Sequence, residues 1–144
     1  MMQSKPFFSL DRVSHIYQSG DNEEHEALSR ITLSIPSGEF VAVLGANGSG
    51  KSTLARHLNA LLLPTSGQCL VDGMDTRNES LHWQIRQKVS MVFQNPDNQL
   101  IAAVVEDDVA FGPENLGVPS EEIRKRVRDA LNLVGMSTHA GDAP

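Results

Sequence analysis

The sequence predicts an α/β fold with a parallel core sheet, an antiparallel β subdomain at the N-terminal end and a helical subdomain at the C-terminal end. Three observations lead to this prediction. Apolar and polar residues alternate in Phe7–Tyr17 and Ile31–Ile35, on either side of a polar loop at Gly20–His25. The run Phe40–Leu44 is continuously apolar, which is typical of a strand buried on both faces of a parallel sheet. Beyond Pro96 the pattern becomes helical.

The middle of the chain alternates between helix and strand signals, as a parallel sheet requires. A glycine-rich turn follows Phe40–Leu44, and the spacing of the next leucines predicts a helix that Pro64–Gly67 ends. The apolar face of this helix consists of Leu54, Leu58, Leu61 and Leu62. The further elements predicted are a strand at Gln68–Asp72, a helix around Ser80–Gln87 and a core strand at Val89–Phe93.

The last predicted helix begins at Ser120, a good N-cap residue, and ends near Gly135. Glu121 and Glu122 stand in its first turn, where the helix dipole favours anions. Its apolar face consists of Ile123, Val127, Ala130, Leu131 and Val134. We therefore expect residues from about 1 to 95 to hold the β subdomain and core, and residues from about 96 to 144 to hold an incomplete helical subdomain.

Composition excludes several classes of protein. The 144 residues are 40% hydrophobic and 21% charged, with a formal net charge of −6, which argues against a nucleic-acid partner. No apolar run approaches the roughly 20 residues of a membrane span, and the first ten residues lack a secretion signal. A single cysteine, Cys69, indicates a reducing compartment, and we expect it to be buried within a strand.

The glycine-rich turn carries the strongest chemical signal. It fits the phosphate-loop pattern G-x-x-x-x-G-K-[ST], with an apolar strand before it and an amphipathic helix after it. Glycines let successive N–H groups face phosphate oxygens, and the helix start favours an anion. Lys51 would reach the β- and γ-phosphates and the Ser52 hydroxyl would coordinate Mg²⁺, so ATP·Mg²⁺ is the predicted ligand. The pattern comprises Gly45, Ala46, Asn47, Gly48, Ser49, Gly50, Lys51 and Ser52.

The loop with its next residue, Gly45–Thr53, reads GANGSGKST and resembles the ABC transporter ATPases. The resemblance covers essentially the whole chain. It implies that Thr53 belongs to the nucleotide site and that Tyr17 stacks on adenine, although an ordinary strand aromatic is the alternative for Tyr17. It also implies that Gln94 is the glutamine that reaches the Mg²⁺ and water region and links the site to membrane subunits. Lys51 and Gln94 are thus the expected catalytic residues, and Ser52 and Gln94 the expected metal ligands.

Two later stretches resemble one branch of that family, the ATPases of energy-coupling-factor transporters. They are FQNPDNQ at residues 93–99 and DVAFGPENLG at residues 108–117. The resemblance implies ATP-driven uptake of a vitamin or metal ion at the cytoplasmic face of the cell membrane. It implies a second ATPase subunit, identical or different, and a transmembrane coupling protein with a substrate-binding membrane subunit. Membrane contact would come only through these partners.

Some family motifs are not found in the sequence: the LSGGQ-type signature, the Walker B strand ending in Asp-Glu, and the switch histidine. We therefore expect an incomplete protein that binds ATP without turnover. Ala102–Asp107 resembles an apolar strand that delivers acids to a metal, but the family resemblance places it in a helical region. His57 and His82 lack metal-ligand spacing and are expected on the surface or on a helix face.

Two alternatives to the transporter ATPase stay open at this point. One is a P-loop kinase that phosphorylates a small metabolite with a similar phosphate loop. The other is a module that binds nucleotide without catalysis.

Overall fold

A computed structural model describes residues 5–18, 20, 23–95 and 99–144 of the chain. It divides into two compact units, Met1–Met91 and Val92–Pro144, which are treated separately below. The subdomain boundary expected near Pro96 and the middle of the FQNPDNQ stretch lie outside the described residues, as does part of the polar loop predicted at Gly20–His25.

The first unit is built on a four-stranded sheet in which every neighbouring pair is antiparallel. The strand order is β2-β1-β3-β4. The strands are β1 Phe8–Gln18, β2 Glu24–Ile35, β3 Ser66–Val71 and β4 Met74–Asp75. The structure therefore confirms the predicted antiparallel β subdomain, and it adds to that subdomain the segment predicted as a strand at Gln68–Asp72.

Bulges shape the long strand β1. Between the pairs Asp11↔Gln68 and Ser14↔Ser66, two residues of β1 face the single residue Gly67 of β3. Arg12 has a φ of 47° at this bulge, and Gly67 has a φ of 82°. A Cβ on Gly67 would lie on the carbonyl oxygen of Arg12, so only glycine allows the two strands to approach this closely.

Helix α1, Lys51–Leu58, packs its leucines Leu54 and Leu58 against the sheet. The buried centre of this core cluster consists of Leu10, Val13, Leu28 and Cys69. The helix is shorter than its leucine pattern predicts, because Ala60 turns into the left-handed region with a φ of 56° and the N–H groups of Leu61 and Leu62 close back on the carbonyl of Arg56.

A second core cluster joins the end of β3 to helix α2, His82–Lys88, which follows a short 3-10 turn at Glu79–Leu81. Its buried residues are Ala60, Val71 and Ile85. The prediction of a helix around Ser80–Gln87 is confirmed. Cys69 is fully buried in β3 as expected, and burial raises the pKa of its thiol to about 11.

The second unit holds two helices, α3 Val105–Asn115 and α4 Ser120–Leu133, followed by a 3-10 turn at Ser137–His139. Helix α3 continues through Gly112-Pro113 to Asn115. It begins within Ala102–Asp107, so that stretch is not a strand. The expected N-cap, Ser120, is instead the first helical residue after Pro119.

The buried face of α4 is narrower than predicted. Ile123, Val127 and Leu131 form the buried centre of the second unit's core and pack against residues of α3 such as Val109. Ala130 is exposed, and Val134 lies beyond the helix with most of its surface open. The two therefore lie outside the apolar face that the pattern assigned to them.

The predicted parallel core sheet is wrong for the described residues. Phe40–Leu44 and Val89–Phe93 belong to no strand there, and Phe40 and Leu44 are 98% and 91% exposed. The reason is physical: an apolar run becomes a strand only when a neighbouring strand takes up its backbone hydrogen bonds. Among the described residues these two segments find no such neighbour.

Across the residues that the structure describes, no helix is both long enough and apolar enough to span a bilayer.

We predict that Gly67→Ala destabilises the protein far more than Gly38→Ala. Both glycines have a φ near 82°, but nothing lies within 4 Å of a Cβ on Gly38, whereas a Cβ on Gly67 collides with the β1 backbone. The left-handed backbone alone should cost about 1 kcal/mol in Gly38→Ala, and the collision should add at least about 2 kcal/mol in Gly67→Ala. Urea unfolding followed by circular dichroism measures both. Equal losses of stability would show that the bulge accommodates a side chain.

Candidate nucleotide-binding site

The predicted phosphate loop connects the exposed 40–44 segment to helix α1. Two of its glycines, Gly48 and Gly50, have φ values of 82° and 87°, which turn the chain into the helix. The Ser49 N–H donates to the Ala46 carbonyl at 3.2 Å, and the Leu54 N–H donates to the Gly50 carbonyl at 2.8 Å as the helix begins. The exposed residues of the loop are Gly45, Ala46, Asn47, Gly48 and Ser49.

The last glycine of the loop is fixed by strand β2. Between the pairs His15↔Leu28 and Ile16↔Glu26, β2 carries one extra residue, Ala27. A Cβ on Gly50 would meet the Ala27 carbonyl oxygen and the Leu28 side chain. The bulge therefore brings the β2 backbone against the start of α1, and only a glycine fits between them.

Lys51 supplies the positive charge of the loop. Its Nζ donates to the carbonyl oxygens of Gly45 and Ala46 at 2.9 and 2.8 Å, so the ammonium lies inside the curl of the loop. The two carbonyl oxygens accept the hydrogen bonds that the Lys51 ammonium would donate to phosphate oxygens when a nucleotide is bound. The loop thus holds a cation at a helix start, which is the arrangement that binds polyphosphates.

Ser52 lies in the first turn of α1 with an exposed side chain. In the described part of the chain, no three His, Cys, Asp or Glu side chains are grouped so that they could hold a metal by themselves. Mg²⁺ fits the loop all the same, because this ion keeps several waters and is commonly held by substrate phosphates with one or two protein oxygens.

The structure brings Tyr17 to the first turn of α1, directly after the phosphate loop. Tyr17 stands near the end of β1 with 37% of its surface exposed, and its hydroxyl lies 3.2 Å from Oγ1 of Thr53, a buried residue of α1. The aromatic expected to bind the base and the helix expected to bind the phosphates are therefore linked directly through Thr53.

His57 is a part of the site that the sequence did not reveal. Of the two places expected for it, the surface and a helix face, the structure shows the second: His57 lies on the buried side of α1 and is 0% exposed. Its Nδ1 lies 2.7 Å from the Thr53 carbonyl oxygen, and its ring meets the edge of the His15 ring with centroids 4.8 Å apart. Its place three residues after Leu54 and one before Leu58, on the apolar side of α1, is the signal that could have identified it.

His15 completes the arrangement from strand β1. Because side chains alternate along a strand, His15 shares a face with Tyr17. Their ring centroids are 4.5 Å apart at an interplanar angle of 76°, and His15 Nδ1 lies 3.1 Å from the Leu63 carbonyl oxygen. The rings of Tyr17, His15 and His57 thus form one continuous stack from the surface into the core.

The charge state of His57 follows from its burial. Desolvation is the largest effect and lowers the pKa of His57 below its ordinary value of 6.5, and the Thr53 carbonyl opposes this. The nearby His15 adds a further lowering. The neutral imidazole is therefore the form that the folded protein favours.

Gln94 is an exposed residue of the second unit, on the segment that follows Met91. Lys51, Ser52, Thr53 and Tyr17 all belong to the first unit. The role expected of Gln94 therefore stays a prediction.

Comparison with known proteins identifies relatives for the whole chain. The profile of the ABC transporter family matches residues 28–144. The energy-coupling factor transporter ATP-binding protein EcfA1 of Symbiobacterium thermophilum is 57% identical over 98% of this chain and 50% of its own length. The cobalt import ATP-binding protein CbiO of Syntrophus aciditrophicus is 49% identical over 85% of this chain and 44% of its own. The chain spans about half the length of the curated relatives it matches.

Two examples represent the solved structures that are similar in fold. CbiO1 of Clostridium perfringens, described as part of the transporter complex CbiONQ, superposes with a TM-score of 0.82 and is 36% identical, covering 97% of this chain and 55% of that one. A dimeric ATP-binding cassette in a post-hydrolysis state, bound to ADP and phosphate, superposes with a TM-score of 0.81 at 30% identity. It covers 95% of this chain and 61% of that one.

We predict that the stability of the protein falls as the pH drops below about 6.5, and that His57→Phe removes part of this fall. The pKa of His57 is lowered on folding, so the unfolded chain binds a proton more tightly. The favourable neutral state is therefore fully present above about pH 6.5 and is lost as the pH falls through the folded pKa. Urea unfolding at pH 7.5 and 5.5 measures this. An identical pH dependence in both proteins would contradict the assignment.

Proposed function

Because this chain belongs to the ABC transporter family, we propose that it binds ATP through Gly45–Thr53, with Tyr17 stacked on adenine. One observation carries the proposal: the Lys51 ammonium lies within the loop at the start of α1, and Thr53 links that helix to the Tyr17 hydroxyl. The residues proposed to bind the base and the phosphates are thus neighbours within the first unit.

Each residue type has a physical task in this site. The Lys51 ammonium exchanges its two carbonyl partners for β- and γ-phosphate oxygens, which are stronger acceptors because they are charged. The N–H groups of the loop and of the first turn of α1 add hydrogen-bond donors that carry no formal charge. Tyr17 offers its ring face to the base and keeps its hydroxyl on Thr53.

Mg²⁺ is the second proposed component. When bound, it would neutralise charge on the β- and γ-phosphates. Ser52 would contribute its hydroxyl oxygen from the protein side. We assign Gln94 to the same ion as a proposal that rests on its sequence position after Phe93 and on the family resemblance.

For the whole protein we propose ATP hydrolysis that drives uptake of a vitamin or metal ion. The relatives named as energy-coupling-factor and cobalt import ATP-binding proteins support this over the kinase alternative. The partners would be a second ATPase subunit and a transmembrane coupling protein with its substrate-binding membrane subunit, at the cytoplasmic face of the membrane. The dimeric cassette among the similar structures supports the ATPase pair.

Lys51→Ala should abolish measurable ATP binding, with a loss of at least about a hundredfold in affinity. It removes the one cation that the loop encloses in the described structure, while alanine is a good residue for the first turn of α1. Isothermal titration calorimetry measures binding, and circular dichroism checks the fold. Lys125→Ala, at an exposed position of helix α4 in the second unit, is the matched control. A Lys51→Ala protein that binds ATP as well as this control would refute the phosphate site.

Tyr17→Ala should weaken ATP and GTP alike, by roughly 5- to 100-fold, because stacking uses the face of the base and does not read its edge. Tyr17→Phe keeps the ring and loses only the hydroxyl contact with Thr53, so it should stay close to wild type. Titration with fluorescent analogues of both nucleotides gives the two affinities. If Tyr17→Ala binds both nucleotides normally, Tyr17 is a packing residue.

A further inference from the structure

Three aromatic rings connect the proposed base-binding surface to the core of the first unit. Tyr17 is half-buried at the surface, His15 is 8% exposed behind it, and His57 is wholly enclosed behind His15. Each ring meets the next edge to face, with centroids 4.5 and 4.8 Å apart. Such contacts have a preferred geometry, so each ring restricts the orientation of the one in front of it.

Thr53 joins the two ends of this stack. Its side-chain oxygen lies at the Tyr17 hydroxyl, and its carbonyl oxygen accepts from Nδ1 of His57 one turn later on α1. The ring stack and helix α1 therefore form a closed circuit, Tyr17 to Thr53 to His57 to His15 and back to Tyr17. A displacement of any ring must be absorbed by the others or by α1.

We propose that His15 and His57 are positioning residues of the nucleotide site, which hold the Tyr17 ring against Thr53 and do so only while His57 is neutral. The inference rests on the proposed function, since it requires Tyr17 to bind the base. It assigns both histidines an indirect task, because neither belongs to the phosphate loop and His57 is enclosed.

The surroundings of His57 explain why a proton would disturb the stack. Nδ1 faces the Thr53 carbonyl and therefore carries the hydrogen, which leaves Nε2 as an acceptor that has no partner within the described residues. A proton on Nε2 would place a net charge in the core, which is costly, and the Leu63 carbonyl offsets only part of that cost. The charge is relieved only if the ring moves, and that movement unpacks His15 and then Tyr17.

The groups that face His57 do not provide a counter-charge. Strand β1 presents His15 to the His57 ring, and strand β3 carries Cys69, whose thiol lies 3.6 Å from the His57 carbonyl oxygen. Strand β2 contributes the apolar Leu28 to the cluster that α1 packs against. The neighbouring Arg56 on α1 is exposed and of the same sign as a protonated imidazole.

Binding measurements with two ligands distinguish a positioning role of the two histidines from a general role in the stability of the fold. ATP uses both Tyr17 and the phosphate loop, whereas inorganic tripolyphosphate has no base and uses the loop alone. A loss of Tyr17 positioning should therefore weaken ATP and leave tripolyphosphate nearly unchanged. A general loss of structure would weaken both.

The first experiment uses wild type and two His57 variants of the 144-residue chain, with calorimetric titration of ATP and of tripolyphosphate. His57→Phe keeps a ring for His15 to meet, and it should keep the wild-type ratio of the two affinities. His57→Ala removes the ring and should lower ATP affinity about tenfold more than tripolyphosphate affinity. His139→Ala in the second unit is the control, because it removes an exposed histidine elsewhere. An unchanged ratio in His57→Ala would overturn the positioning role.

The second experiment repeats the titrations from pH 7.5 downward, to the lowest pH at which circular dichroism shows that both proteins are folded. In wild type the ratio of ATP to tripolyphosphate affinity should fall on acidification, with a limiting slope of about tenfold per pH unit. In His57→Phe it should stay flat. Phosphate groups also gain a proton in this range, with a pKa of about 6, and His57→Phe corrects for that effect. Parallel curves for the two proteins would overturn the requirement for a neutral His57.

His15 provides a second route if a His57 variant does not fold. His15→Phe should preserve the affinity ratio and His15→Ala should lower it, because His15 is the ring in direct contact with Tyr17. The wild-type pH series needs no variant at all. Lys51→Ala separates this inference from the proposed function: if wild type binds neither ligand, or binds both as Lys51→Ala does, the phosphate site itself is wrong.

Discussion

The close approach of strand β2 to Gly50 is the constraint on which the first unit depends. At this point only a hydrogen atom separates the loop from the Ala27 carbonyl oxygen and the Leu28 side chain. The contact fixes where α1 begins, and that beginning carries Lys51, Ser52 and Thr53. The antiparallel sheet thus does more than flank the phosphate loop, because its bulged strand determines where the loop ends.

Local features of the site could be predicted from the sequence because they are encoded within a few residues. The spacing of Gly45, Gly50 and Lys51 requires no partner elsewhere in the chain to be recognised. Tyr17 is different: its position opposite Thr53 depends on how β1 packs on α1, and the family resemblance supplied what periodicity did not. His57 was missed because a histidine counts as polar in a hydrophobic pattern, although its ring can be buried when one nitrogen donates to a backbone carbonyl.

The apolar segments Phe40–Leu44 and Val89–Phe93 show what the sequence alone could not predict. Their composition reports a preference for burial, but the hydrogen-bonding neighbours of a parallel strand come from distant parts of a chain. An antiparallel pair such as β1 and β2 is joined by a short loop, so both partners can be read in one stretch of sequence. The antiparallel part of the fold, which rests on near neighbours, was accordingly confirmed, whereas the predicted parallel core sheet was not found among the described residues.

The two carbonyl contacts of Lys51 have a consequence for which anions the loop can admit. The Lys51 ammonium, which is bonded at 2.8 and 2.9 Å, loses least when an incoming acceptor replaces both carbonyl oxygens. A small monovalent anion such as chloride offers one weakly directed contact and competes poorly. A polyphosphate chain offers several charged oxygens at once. The contacts of Lys51 therefore favour a polyphosphate over simple monovalent anions.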